Sequence, residues 1–66
     1  MNIKATVWLK DGNNVEVTLY NTTLKAESKR YSEAMKYKVI SHDGPNTTQL
    51  IPVEHISLIN LEEVAE

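Results

Sequence analysis

The sequence predicts a small, mainly β domain of five short strands. They would either close as a barrel or lie as a strongly bent antiparallel sheet, with room for one short helix within residues 22–33. Three observations carry this expectation. Apolar and polar residues alternate with period two over residues 3–9 and again over 15–20, separated by Asp11-Gly12-Asn13-Asn14. A second turn cluster, His42-Asp43-Gly44-Pro45-Asn46, separates two further apolar runs. Finally, 66 residues leave space for a single core, since a chain this short buries only about 60% of the surface its unfolded form exposes.

In the first segment Ile3, Ala5, Val7 and Leu9 share one face, and Lys4, Thr6, Trp8 and Lys10 share the other. Val15, Val17 and Leu19 then alternate with Glu16, Thr18 and Tyr20. For both apolar sets to meet one core, the connecting loop must hold an odd number of residues. A three-residue loop, Asp11-Gly12-Asn13, would set Leu9 opposite Val15, Val7 opposite Val17 and Ala5 opposite Leu19.

Residues 21–34 read as either a helix or a long charged connection. Leu24, Tyr31 and Met35 fall at i, i+7 and i+11, a thin helical stripe, and Asn21, Thr22 or Thr23 could cap its start. Strand pattern resumes at Met35, with Met35, Tyr37 and Val39 on one face and Lys36, Lys38 and Ile40 on the other. Thr47–Ile51 reads as a fourth strand ended by Pro52, which has no N–H for a ladder. Val53-Glu54-His55 reads as one tight helical turn before a fifth strand, Ile56–Leu61. Residues 1–61 thus form one β domain, and 62–66 an acidic C-terminal tail expected to fray.

Hairpin, charged connection, hairpin, helical turn and final strand is the order of small five-stranded barrels. Val7-Trp8-Leu9-Lys10-Asp11-Gly12 resembles the first hairpin of an Sm-like protein, and Ile51-Pro52-Val53-Glu54-His55-Ile56 resembles the turn that feeds the closing strand of an SH3-like or Sm-like barrel. The second strand, Val15–Tyr20, lacks the glycine that lets the Sm-like one bend sharply, and the Sm-like N-terminal helix and Arg-Gly pair are missing. The resemblance therefore implies architecture and transfers no functional residue.

Composition narrows the function classes. The chain has no cysteine, which removes disulfides and thiolate metal sites and fits a reducing, cytoplasmic compartment. The first residues enter the alternating pattern at once, without a basic and then apolar leader, so no signal peptide is expected. No apolar run approaches the roughly 20 residues of a membrane span, so no membrane association is expected. The sequons at Asn21 and Asn46 read as chance matches to a short motif. His42 and His55 stand beside Asp43 and Glu54, but they lie 13 positions apart without ligand spacing and read as surface histidines near turns rather than metal ligands. Nothing in the chain pairs a nucleophile with a base or forms a glycine-rich phosphate loop, so neither catalysis nor a cofactor is expected.

Charge is distributed unevenly. Residues 25–38 carry Lys25, Lys29, Arg30, Lys36 and Lys38 against Glu27 and Glu33, whereas residues 39–66 hold five acids and no Lys or Arg. Two binding readings follow. In the first, the chain acts through protein–protein contacts, as a homo-oligomer or on a larger host protein, with Trp8 as an exposed anchor; its bland counterpart packs Trp8 into a second, smaller core. In the second, Lys25, Lys29, Arg30, Lys36 and Lys38 bind single-stranded RNA or DNA while Tyr31 or Trp8 stacks on bases. The bland counterpart of that reading is a solvated charged surface, and the net charge of −2 favours it.

Overall fold

A computed structural model describes residues 1–65. It is mainly β, with one helix. The elements run β1 (Asn2–Leu9), β2 (Asn14–Leu19), α1 (Leu24–Lys36), β3 (Val39–Asp43), β4 (Thr48–Pro52), a 3-10 turn (Val53–His55) and β5 (Ile56–Val64). Among the described residues the strands form two separate antiparallel sheets, β2-β1-β5 and β3-β4, and no ladder joins β2 to β3.

The first hairpin keeps the expected parity but shifts its register. Val7 faces Val15, Ala5 faces Val17 and Ile3 faces Leu19, two positions from the expected partners. The loop is Lys10-Asp11-Gly12, closed by Leu9 and Asn13: Gly12 N donates to Leu9 O at 3.0 Å, and Leu9 N donates to Asn13 O at 2.8 Å. A three-residue hairpin loop needs a left-handed residue in its last position, and Gly12, at φ +94°, takes it at little cost. The Asp11 carboxylate accepts from Asn13 N at 2.9 Å and holds the turn.

Residues 24–36 are helical over their whole length. Thr23 is the N-cap, its Oγ1 accepting from Ala26 N at 3.1 Å. The buried face is not the expected stripe. Glu27 and Tyr31 are buried and Ala34 half-buried, while Leu24 and Met35 stay exposed. The helix ends where Lys38 enters the left-handed region at φ 64°, with Lys38 N donating to Met35 O at 3.2 Å. Glycine is the usual residue there, and a lysine costs about 1 kcal/mol in its place.

That helical extension moves the third strand. Met35 and Tyr37 are not in it; β3 starts at Val39, and Ile40 and His42 point into the core. Ile40 lies opposite Ile51 on β4, and burying this cross-strand pair is what selects the face. The 3-10 turn forms as expected, and His55 O accepts from Lys10 N at 2.9 Å. β5 then runs antiparallel to β1, with a bulge where Leu9 faces Ile56 and Trp8 faces Leu58. Ser57 is the extra residue, and its Oγ donates to Trp8 O at 3.2 Å. The bulge explains why Ile56 and Ile59, three apart, can both pack against the core.

β5 does not stop at Leu61. Glu62, Glu63 and Val64 pair with Lys4, Ile3 and Asn2, so most of the segment read as a frayed tail is strand. Glu66 lies outside the described residues. The core sits between the inner face of β2-β1-β5 (Ala5, Val7, Val17, Leu61), the helix (Tyr31, Ala34) and the inner side of β3-β4 (Ile40, Ile51). No helix among the described residues is long and apolar enough to cross a membrane.

Candidate functional site

Trp8 sits on the outer face of the central strand β1, beside Asn14 on β2 and Leu58 on β5. Trp8 is 39% exposed and Leu58 58%, so two large apolar side chains in register present one surface patch. Lower on that face Thr6 is buried and Lys4 meets Glu62 at 3.4 Å. The alternation of β1 alone puts Trp8 outward, since Val7 must point in.

The basic residues of the helix divide into two groups. At about 100° per residue, Lys25, Lys29 and Lys36 fall within about 40° of one another, on the side facing away from buried Glu27, Tyr31 and Ala34. All three are exposed. Arg30 is held elsewhere. Its Nε donates to Glu27 Oε1 at 2.7 Å, and its guanidinium lies 4.9 Å over the Tyr31 ring. Lys38 stands past the helix end, where its carbonyl accepts from Val53 N at 3.0 Å.

Tyr31 corrects an expectation. At 4% exposure it is a core residue and offers no face to a base. Its ring meets the His42 ring edge-on at 5.8 Å, and its hydroxyl meets His42 Nε2 at 2.7 Å. His42 is likewise not on the surface but 4% exposed, carried inward by the same strand face as Ile40. Its Nδ1 has no hydrogen-bond partner. His55 is exposed, as expected, and lies 3.8 Å from Glu54. Periodicity could have placed His42 inward only if β3 had been started at Val39.

The charges around this pair tune it. Burial, followed by the Arg30 cation, depresses the His42 pKa against a weaker opposite pull from Asp43. Burial also raises the Tyr31 phenol. For Glu27 burial pushes the carboxyl up, but the Thr22 hydroxyl at 2.7 Å and the Arg30 guanidinium outweigh it and hold the group below its ordinary value. A polar cleft of about 290 Å³ opens beside this network, between Thr18–Tyr20 of the first hairpin's end and Ser41–Asp43 of β3. Its charged members are Glu27, Arg30 and Asp43, and Glu27 and Arg30 are already paired with each other.

Of the seven residues singled out from sequence, the fold brings together Lys25, Lys29 and Lys36 on one exposed helix face, and sets Arg30 over the buried Tyr31 ring. Trp8 lies on the face of the sheet opposite the one the helix covers, so it shares no surface with the lysine stripe. Sequence reasoning missed Leu58, which is paired to Trp8 only through the long-range β1–β5 ladder. Compared with protein-family models, curated proteins and solved structures, the chain matches none.

Proposed function

We propose that this chain is a small non-enzymatic binding module that acts through protein–protein contacts, as a homo-oligomer or on a larger host protein. The observation that carries this reading is the Trp8–Leu58 patch. A partly exposed tryptophan beside an exposed leucine on a rigid sheet is the kind of anchor around which protein interfaces concentrate their energy. The cysteine-free composition supports a cytoplasmic setting. We read the architecture as SH3-like barrel order left open at two seams, β2/β3 and β4/β5. β5 returns onto β1 after a 3-10 turn, while α1 occupies the connection between β2 and β3. The test is affinity capture with the wild-type chain and with Trp8→Ser/Leu58→Ser. A partner retained by the first and lost by the second supports the reading, and equal retention by both refutes the patch.

The lysine stripe favours a second reading, binding of single-stranded RNA or DNA through Lys25, Lys29 and Lys36, with Arg30 and Lys38 at its margins. Titration of a fluorescent oligonucleotide at rising salt tests it, because binding driven by phosphate neutralisation weakens steeply with salt. Tyr31 is buried, Arg30 is bound to Glu27 and Trp8 is distant, so the exposed ring that could stack on a base beside these cations is Tyr37, 78% exposed between Lys36 and Lys38.

A further inference from the structure

We propose that the open edge of β5 pairs antiparallel with β5 of a second copy of this chain. This rests on the reading of the protein as a module that works through protein contacts, and it names the partner.

β5 is the longest strand, nine residues, and within the described residues it is hydrogen-bonded on one side only, to β1. Ile56, Ser57, Leu58 and Ile59 all line one groove together with Met35 and Val53. Beyond the bulge Leu58 and Ile59 point to opposite faces of the sheet, so a groove that touches both follows the strand's free backbone edge. Natural proteins guard such edges with charge, proline or brevity. β2 has Asn14, Glu16 and Thr18, and β4 is five residues long and ends in Pro52. The first six residues of β5, Ile56 to Leu61, contain neither a charge nor a proline.

Charge selects a second copy as the occupant. Glu62 and Glu63 stand at the end of β5, while its start lies beside the helix C-terminus, where Lys38 shares a groove with Met35, Pro52, Val53 and Glu54. In an antiparallel pair the acidic end of each strand comes to the other's start. A two-fold axis near Asn60 would set Glu63, and Glu62 that also meets Lys4 of its own chain at 3.4 Å, against Ser57 and Leu58 of the second copy, at the end of the strand where Lys38 lines the neighbouring groove. Glu54 is the opposing carboxylate at that end. Every contact is made twice, as a two-fold interface requires. Lys38 occupies a left-handed position, φ 64°, that glycine would fill without strain, so the cation stands where backbone geometry alone would not put it.

Light scattering coupled to size exclusion, across a wide range of protein concentration, should give the mass of two chains. Glu62→Lys/Glu63→Lys and Lys38→Glu should each weaken self-association by roughly tenfold or more, and mixing the two variants should restore it, because both contacts of the mixed dimer are then complementary. The chain has no cysteine, so Asn60→Cys is a clean probe. Facing antiparallel positions lie about 4.5–5.5 Å apart at Cα, within disulfide range, and oxidation should give a covalent dimer that Asn14→Cys on β2 does not. A dimer insensitive to the charge reversals and not trapped through Asn60→Cys overturns the β5 interface. A monomer at every concentration overturns self-pairing altogether, while the Trp8/Leu58 capture experiment still decides the broader reading on its own.

Discussion

Tyr31→Phe removes the hydroxyl that meets His42 Nε2 at 2.7 Å and leaves a histidine only 4% exposed with no partner at either ring nitrogen, since Nδ1 already lacks one. Stranding a buried polar group costs about 1–3 kcal/mol. In a domain of this size about 1 kcal/mol shifts Tm by roughly 4–8 °C, so the variant should melt at least several degrees lower. Tyr31→Phe/His42→Leu removes donor and acceptor together, which is nearly neutral when the shape is filled, so the double variant should recover most of that loss. The pair also predicts a pH dependence. In the folded chain His42 is held below its ordinary pKa by burial and by Arg30, whereas unfolded it takes up a proton near its usual value of about 6.5. Below that pH the unfolded state binds more protons. Stability from this group is therefore complete above about 6.5 and falls as pH drops toward the depressed folded value. The double variant should lose that slope. Thermal and urea denaturation, followed by circular dichroism at neutral and mildly acid pH, reads both effects. If Tyr31→Phe is as stable as wild type, or the double variant is weaker than Tyr31→Phe alone, the reasoning fails.

Other perturbations test other parts of the fold. Glu27 contributes in a lower window, above its ordinary value of 4.5, and that contribution is lost as pH falls through its depressed folded pKa. Glu27→Gln should cost about 1 kcal/mol at neutral pH, discounted because Arg30 is half exposed, and acid titrations of the two proteins should converge. Thr23→Ala removes the helix N-cap and should cost about 1 kcal/mol, read as a lower urea midpoint. Ile40→Lys buries a charge where the side chain is 1% exposed and should unfold the domain, while Val39→Lys, at 37% exposure, should leave the circular dichroism spectrum intact. Equal tolerance of the two lysines would mean that the inward face of β3 is misassigned.

How much was legible in the sequence depended on how local the deciding force was. The outward placement of Trp8 follows from period-two alternation along one strand. The odd hairpin loop follows from parity, but its register needed the left-handed demand on Gly12, which a turn-residue cluster with several tolerant positions does not single out. Helix or loop was undecided over residues 21–34 because the inward side of the helix carries a glutamate. Glu27 is buried only because Thr22 and Arg30 satisfy its carboxylate, and a polar residue on a core face weakens every apolar-periodicity signal. The same event took Arg30 out of the basic stripe, leaving Lys25, Lys29 and Lys36.

From the sequence by itself come the strand faces of the first hairpin, the helical turn before the last strand and the lysine spacing, because each rests on the geometry of a few neighbouring residues. Only the tertiary structure decided that His42 and Tyr31 face each other in the core, that β5 runs on through Glu62 and Glu63 to Val64, and that Leu58 stands beside Trp8. Each of these depends on a contact between residues far apart in the chain, where burial of apolar area and satisfaction of polar groups choose among arrangements that local preference leaves equal.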